Sequence, residues 1–233
     1  MSRVCISLIF LSLVFSVNAA YADDIESPVL SESVVTIAKS EVTVTAASCE
    51  ADSPCRVVSD TSKKVLDAVN KGVPQNQTVS LINTIAAPQF EFTLMTKYAL
   101  GNNWKLATAE QQQQLVELFK QLLIYTYSTA LSKFKGAQIN ITSSTIDGKK
   151  AQVMSLVVMP STTSNNNQPI KVEYDLARLS SSSGWKAYDI KIENASLVTT
   201  YRNQFNEIVQ TSKIDGLIKQ LQTKVTSLKE KNS

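Results

Sequence analysis

The sequence predicts an α+β fold, an antiparallel sheet of about four or five strands with helices packed on one of its faces. Three observations predict it. Apolar residues recur at three- and four-residue steps from about Ser59 to Phe134, the spacing switches to two between Gln138 and Glu193, and helical spacing returns from Ser196 to Leu228. Four consecutive strands read as an antiparallel meander, and a single apolar face on such a sheet requires helices against it.

The N-terminus reads as an address. Arg3 precedes an apolar stretch from Ile6 to Val17, and Ala20-Tyr21-Ala22 supplies the small-x-small pattern of a cleavage site, so residues 1–22 are expected to be a signal peptide. The stretch is about a dozen residues, short of the roughly 20 that span a bilayer. Its removal takes away one charged residue, Arg3, leaving 22 basic against 20 acidic side chains and a net charge of +2. That balance is too mild to argue for nucleic acid. The remaining chain of about 210 residues suits one domain.

Residues 23–56 are rich in Ser, Thr, Val and Glu and are expected to be a largely disordered N-terminal extension with a local cysteine pair, Cys49 and Cys55. In an exported chain such a pair most simply forms a disulfide, and closing so short a loop contributes roughly 2 kcal/mol. A metal site is the alternative. The chain has no histidine, so carboxylates would have to complete the ligand set, which suits zinc poorly. The missing histidine also excludes Ser-His-Asp and Cys-His nucleophile sites. No catalytic and no metal residues are assigned.

The elements follow in order. Ser59 or Asp60 is read as the cap of a first helix carrying Val65, Leu66 and Val69, stopped by Gly72 and Pro74. A short second helix is expected over Val79–Ala87 and a third over about Gln89–Leu100, stopped by Gly101. Thr108-Ala109-Glu110-Gln111 is a capping box that opens the longest helix, predicted to run to Phe134. Its apolar stripe, with Leu115, Phe119, Leu122 and Leu123, is broad enough to need apolar surroundings on most sides. Asp147-Gly148 marks a hairpin between Gln138–Ile146 and Ala151–Met159. Pro169–Leu179 and Trp185–Glu193 supply two more alternating strands, with a polar loop at Ser161–Gln168. Helices over Ser196–Thr211 and from Ile214 onward precede a polar tail, residues 229–233.

Chemistry is sparse. The six glycines sit at turns and form no phosphate loop, and Asp147, Asp175, Asp189 and Asp215 read as solvated or capping groups.

Two stretches carry more. Phe90-Glu91-Phe92-Thr93-Leu94-Met95-Thr96-Lys97-Tyr98-Ala99-Leu100-Gly101-Asn102-Asn103-Trp104 leads into Ala107-Thr108-Ala109-Glu110-Gln111-Gln112-Gln113. Later, Gly184-Trp185-Lys186-Ala187-Tyr188-Asp189-Ile190 leads into Ser196-Leu197-Val198-Thr199-Thr200-Tyr201-Arg202-Asn203-Gln204-Phe205 and then Ile214-Asp215-Gly216-Leu217-Ile218. In order and spacing these resemble the MlaC, or toluene-tolerance, family of periplasmic phospholipid-binding proteins, over roughly Val57 to Leu221. The resemblance implies a single MlaC-like domain over residues 57–228, with an apolar lipid cavity between sheet and helices. It implies a non-enzymatic periplasmic carrier that needs no cofactor and holds phospholipid as cargo. It also implies exchange of glycerophospholipid with an inner-membrane Mla ABC transporter complex and an outer-membrane Mla lipoprotein–porin complex, which maintains outer-membrane lipid asymmetry.

Residues 23–55 have no counterpart in the resemblance, and the helix around Val79–Ala87 looks abbreviated. No family signature marks the pocket. On periodicity alone, the lining is expected to be Phe90, Met95, Leu118, Leu122, Tyr125, Leu156, Val158, Val172, Tyr174, Tyr188 and Ile190. The competing expectations are a small secreted α+β enzyme working through a buried carboxylate, or a holdase for hydrophobic proteins.

Overall fold

The computed structural model describes residues 49–160, 168–180 and 183–232. The expected signal peptide, the extension up to residue 48 and most of the Ser161–Gln168 loop lie outside the described residues.

The first helix, α1 (Pro54–Asn70), begins earlier than the sequence suggests. Its cap is Ser53, whose Oγ accepts from the Arg56 amide at 3.1 Å, and Pro54 occupies the first turn, where its missing N–H costs nothing. Residues 54–56 therefore belong to the domain rather than to an extension. Cys49 and Cys55 are bonded to each other with Cα atoms 5.5 Å apart, and both are buried, at 4% and 3% exposure. They pack with Val58, Ile141, Ala151, Val153, Leu176, Trp185 and Ala187. The loop is part of the core. Arg178 ties it further, donating from Nη2 to the Asp52 carbonyl at 3.3 Å and lying 4.7 Å above the Trp185 ring.

Next comes α2 (Gln75–Leu81), which passes directly into a π-helical turn, Ile82–Ala86, and a 3-10 turn, Ala87–Gln89. Then follow α3 (Phe92–Leu100), a 3-10 turn (Gly101–Leu106), and α4 (Ala109–Ser128). The capping box forms as expected: Thr108 Oγ1 accepts from Gln111 N at 3.2 Å, and Gln111 Oε1 accepts from Thr108 N at 2.9 Å. The helix ends at Ser128, and Leu131–Phe134 is a separate 3-10 turn.

The sheet is a five-stranded antiparallel meander in sequential order: β1 (Gln138–Asp147), β2 (Lys150–Val158), β3 (Ile170–Ala177), β4 (Lys186–Ile192) and a short β5 (Ala195–Ser196). Asp147 pairs with Lys150 around Gly148, whose φ of +56° supplies the left-handed backbone that a two-residue hairpin demands. Bulges interrupt β1 between Ile141 and Ser143 and the β3–β4 pair between Asp175 and Leu176.

The final helix, α5 (Leu197–Lys231), is broken at Lys213 (φ 59°, ψ −172°), so it behaves as the two helices that the sequence predicts. Its end is no free tail. Asn232 is buried, accepting from Ser128 Oγ at 2.8 Å and donating to the Leu228 carbonyl at 2.7 Å. The helix thus closes onto the end of α4.

Two layers result. Helix α1 lies on one face of β1 and β2, whereas α3, α4 and α5 pack on one another, with α3 and α5 also meeting β4.

Candidate functional site

Register decides which residues share the face under the helices. Ala151, Val153, Ser155 and Val157 of β2 pair in turn with Leu176, Tyr174, Val172 and Ile170 of β3. Val172 and Tyr174 pair onward with Ile192 and Ile190 of β4. On the other side, Ile139 and Ile141 of β1 pair with Val157 and Ser155. Side chains along a strand alternate between faces, so these residues form one inner surface. It divides into two clusters: one under the disulfide and the start of α1, the other built on Ala137, Val157 and Val172. Tyr174 packs against both.

In the second cluster, apolar groups remain partly uncovered. Leu66, Phe134, Ile139, Met159, Ile170, Tyr174, Ile190 and Ile192 pack against the buried residues there, yet each keeps some accessible surface. Several lie on interior strands beneath a helical layer. These inward-facing residues form a partly uncovered apolar surface, called the recess below. The π-helical turn borders this region, packing between α1 and α4, and its Ile82 and Ile85 are likewise only half-buried. A π-turn inserts an extra residue into the helical ladder and recurs at functional sites.

The structure distributes the eleven expected lining residues unevenly. Val172, Tyr174 and Ile190 belong to the recess. Leu118 and Tyr125 are half-buried on α4. Phe90 bridges to Ala187 at the edge of β4, packs on the first cluster and stacks against Phe92 at 5.8 Å. Tyr188 meets Tyr98 of α3 edge-on at 5.5 Å. Met95 and Leu122 are wholly buried, at 1% exposure each, as helix core.

Leu156 and Val158 are a correction. Leu156 pairs with Asn140 and Lys171, and Val158 with Gln138, so both stand on the outer face, away from Val172, Tyr174 and Ile190. The periodicity of Val153–Met159 offered two apolar alternations, and the inner one is interrupted by Ser155. Six partly covered members of the recess were not expected: Leu66, Phe134, Ile139, Met159, Ile170 and Ile192. The alternation Ile170-Val172-Tyr174 contained the signal for one of them.

The outer face is charged. Lys191 pairs with Glu173 and, at 3.0 Å, with Asp175, while Gln152 donates to Glu173 at 2.8 Å. These contacts hold the Lys191 ammonium well above its ordinary pKa, although its partial burial works the other way. The acid most relevant to an enzymatic reading is Asp189, which is buried. Burial pushes its pKa up, while hydrogen bonds from Ser196 and Val198 pull it down. Its oxygens are occupied by Ser196 Oγ at 2.5 Å and the Val198 amide at 3.1 Å, at the first turn of α5. Opposite Asp175 in the register, it lies on the face away from the recess. It is a structural carboxylate. Among the described residues no group of three or more cysteines, aspartates or glutamates could hold a metal, and no helix is long and apolar enough to cross a membrane.

The motif-bearing stretches have a structural explanation. Phe119 of α4 sits between Tyr201 and Phe205 of α5, with ring centroids at 4.9 and 5.3 Å. Arg202 donates from Nε to the Tyr98 carbonyl at 2.8 Å, closing the end of α3 where Gly101 turns the chain. Asn103 donates to Asn206 at 3.2 Å, and Gln111 to Asp215 at 2.7 Å. These residues hold the three-helix layer together.

Comparison with known proteins agrees with this architecture. The model of the MlaC protein family matches residues 59–223. The match begins beyond the Cys49–Cys55 loop. The toluene tolerance protein ttg2D of Pseudomonas putida is 26% identical over 167 residues, 69% of this chain and 74% of that protein. A phospholipid-binding protein from Ralstonia solanacearum, solved in complex with a phospholipid, superposes with a TM-score of 0.65 at 29% identity, covering 74% of this chain and 97% of its own.

Proposed function

The chain belongs to the MlaC family, and from that premise we propose that it binds a glycerophospholipid and carries it through the periplasm. The observation that supports this reading best is the inner sheet face, where Tyr174, Ile190 and Ile192 keep apolar surface that the protein's own helices leave uncovered. Two acyl chains carry about thirty methylenes, and at about 0.8 kcal/mol each they resist leaving a bilayer by something over 20 kcal/mol. A carrier has to replace nearly all of that burial. An apolar recess covered by helices does so, and catalytic groups add nothing to the task. The family relationship further supports exchange with an inner-membrane ABC transporter complex and an outer-membrane lipoprotein–porin complex, with outer-membrane lipid asymmetry as the physiological outcome.

Native mass spectrometry of protein purified from the periplasm tests the reading. The expected spectrum shows phospholipid bound at fixed stoichiometry, and delipidated protein takes lipid up again from vesicles. Protein that is empty on isolation and stays empty after incubation with vesicles refutes it.

A further inference from the structure

The uncovered apolar surface is concentrated at one end of the sheet. Around the disulfide, nine buried residues carry three partly covered ones, whereas the second cluster has three buried residues and eight partly covered ones. That second cluster stands where β1 and β3 begin and β2 and β4 end, at Ala137, Ile170, Met159 and Ile192. The recess is therefore covered at the disulfide end and open at the other. At the open end Asn70, the last residue of α1, accepts through Oδ1 from the Gly136 amide at 2.7 Å. Gly136 in turn runs close beside Pro160, just past β2: its φ is +77°, and a Cβ there would come within 2.9 Å of the proline ring. The end of α1, the turn before β1 and the end of β2 are thus drawn together.

Three lysines stand on this junction. Lys71 follows Asn70, Lys135 precedes Gly136, and Lys133 lies two residues further back; all three are exposed. Phe134, between two of them, packs against the second cluster, as does Leu66 of α1. Charge and apolar surface are therefore interleaved along one rim. Residues 66–72 and 131–137 contain a single acid, Asp67. Among the described residues none of the three lysines forms an ion pair. The other charges at this end are engaged with each other's segments: Glu193 accepts from the Lys171 amide at 2.7 Å, and Lys171 Nζ donates to Asn194 at 3.5 Å. An ammonium is a compact point charge that suits a phosphate. With acyl tails inserted toward the disulfide end, the phosphate of a diacyl lipid stays at the mouth, because taking a charge deeper into apolar surroundings is costly. Three ammonium groups there favour a headgroup whose phosphate carries no ammonium of its own.

Building on the carrier reading above, we propose that Lys71, Lys133 and Lys135 hold the phosphate of the cargo at the open end of the recess and make the protein prefer net-anionic over zwitterionic phospholipid. The rim also fixes which way round the lipid sits, head at the end of α1 and tails toward the Cys49–Cys55 loop.

The test is a competition. Delipidated protein is brought to equilibrium with vesicles containing equal amounts of phosphatidylglycerol and phosphatidylethanolamine of the same acyl composition, and the bound ratio is read by mass spectrometry. The wild type should favour phosphatidylglycerol by roughly 3- to 10-fold, a modest factor because exposed ion pairs are weak. The preference should fall toward one in about 1 M salt, where the Debye length is about 3 Å. Replacing all three lysines (Lys71→Gln, Lys133→Gln and Lys135→Gln together) should bring the ratio to about one, and the corresponding arginine variant should retain the preference. Lys149→Gln with Lys150→Gln, exposed at the far end of the sheet, should leave it unchanged. Both lipids leave the same bilayer, so contact between the lysines and the vesicle surface alters the rate of uptake of both and not their ratio. A triple glutamine variant that loads more slowly yet keeps the wild-type ratio therefore overturns the proposal in favour of membrane docking. A wild-type ratio of one, or an equal loss of preference in the far-end variant, also overturns it and leaves the carrier reading intact. Failure of the wild type to take up either lipid removes the carrier reading and the proposal together.

Discussion

Replacing Phe119 with alanine separates the core that holds the helices together from the surface assigned to cargo. Phe119 is fully buried and makes edge-to-face contacts with Tyr201 at 4.9 Å and Phe205 at 5.3 Å. Truncating a buried phenylalanine costs about 3–5 kcal/mol, and the two aromatic pairs place this site toward the upper end. For a domain of this size each kcal/mol lowers Tm by about 2–4 °C, so the expected fall is roughly 6–20 °C. Differential scanning calorimetry measures it, with native mass spectrometry on the same sample giving lipid bound per folded molecule. Because Phe119 packs against Tyr201 and Phe205 of α5 and is not among the inner-face residues named above, the bound fraction should match wild type. A Tm within about 2 °C of wild type combined with lost lipid would refute the reasoning. It would mean that Phe119 touches cargo and that the aromatic trio is part of the cavity.

Other outcomes follow from the same geometry. Ile190→Asp sets a carboxylate in the recess and should abolish lipid loading measured by mass spectrometry, whereas Leu156→Ser on the outer face should leave it unchanged; equal losses would contradict the register. Burial raises the Asp189 pKa above its ordinary 3.8. The folded state therefore holds this proton more tightly than the unfolded chain, and the resulting stability is fully present below pH 3.8 and lost as pH rises through the raised value. Asp189→Asn, which keeps an acceptor for the Val198 amide, should flatten that decline in urea-unfolding curves collected across the window; an unaltered pH profile counts against it. Asn232→Ala removes the link between α5 and Ser128 and should cost about 1 kcal/mol, a fall of about 2–4 °C in Tm by calorimetry.

Much of the fold was legible because local chemistry points the same way as tertiary packing. The Thr108–Gln111 capping box, the Gly148 hairpin and the alternation Ile170-Val172-Tyr174-Leu176 each specify an element without help from distant residues. The break at Lys213 was legible as well, since the apolar spacing restarts at Ile214. The start of α1 was not. Ser59 and Ser53 are both competent caps, and what selects Ser53 is the bond from Cys55 back to Cys49, which buries the loop against β1 and β2.

The candidate site depended on longer-range information. An apolar side chain that covers another helix and one that faces a recess have the same periodicity, so Met95 and Leu122 could not be told from Tyr125. In β2 the choice of face lay in the pairing. Met154, Leu156 and Val158 are more uniformly apolar than Val153, Ser155 and Val157, yet the second set points inward because Val153 pairs with Tyr174 and Ser155 with Val172. A shift of one residue exchanges the faces of a strand, and the register is fixed by neighbouring strands rather than by the strand's own residues. The sequence by itself therefore determined the α+β class, the absence of histidine chemistry and the order of elements, all of which rest on composition and near-neighbour periodicity. The tertiary structure alone decided which alternation of β2 faces inward and which inward residues stay partly uncovered, since strand pairing and helix docking, rather than the strand's own residues, set both.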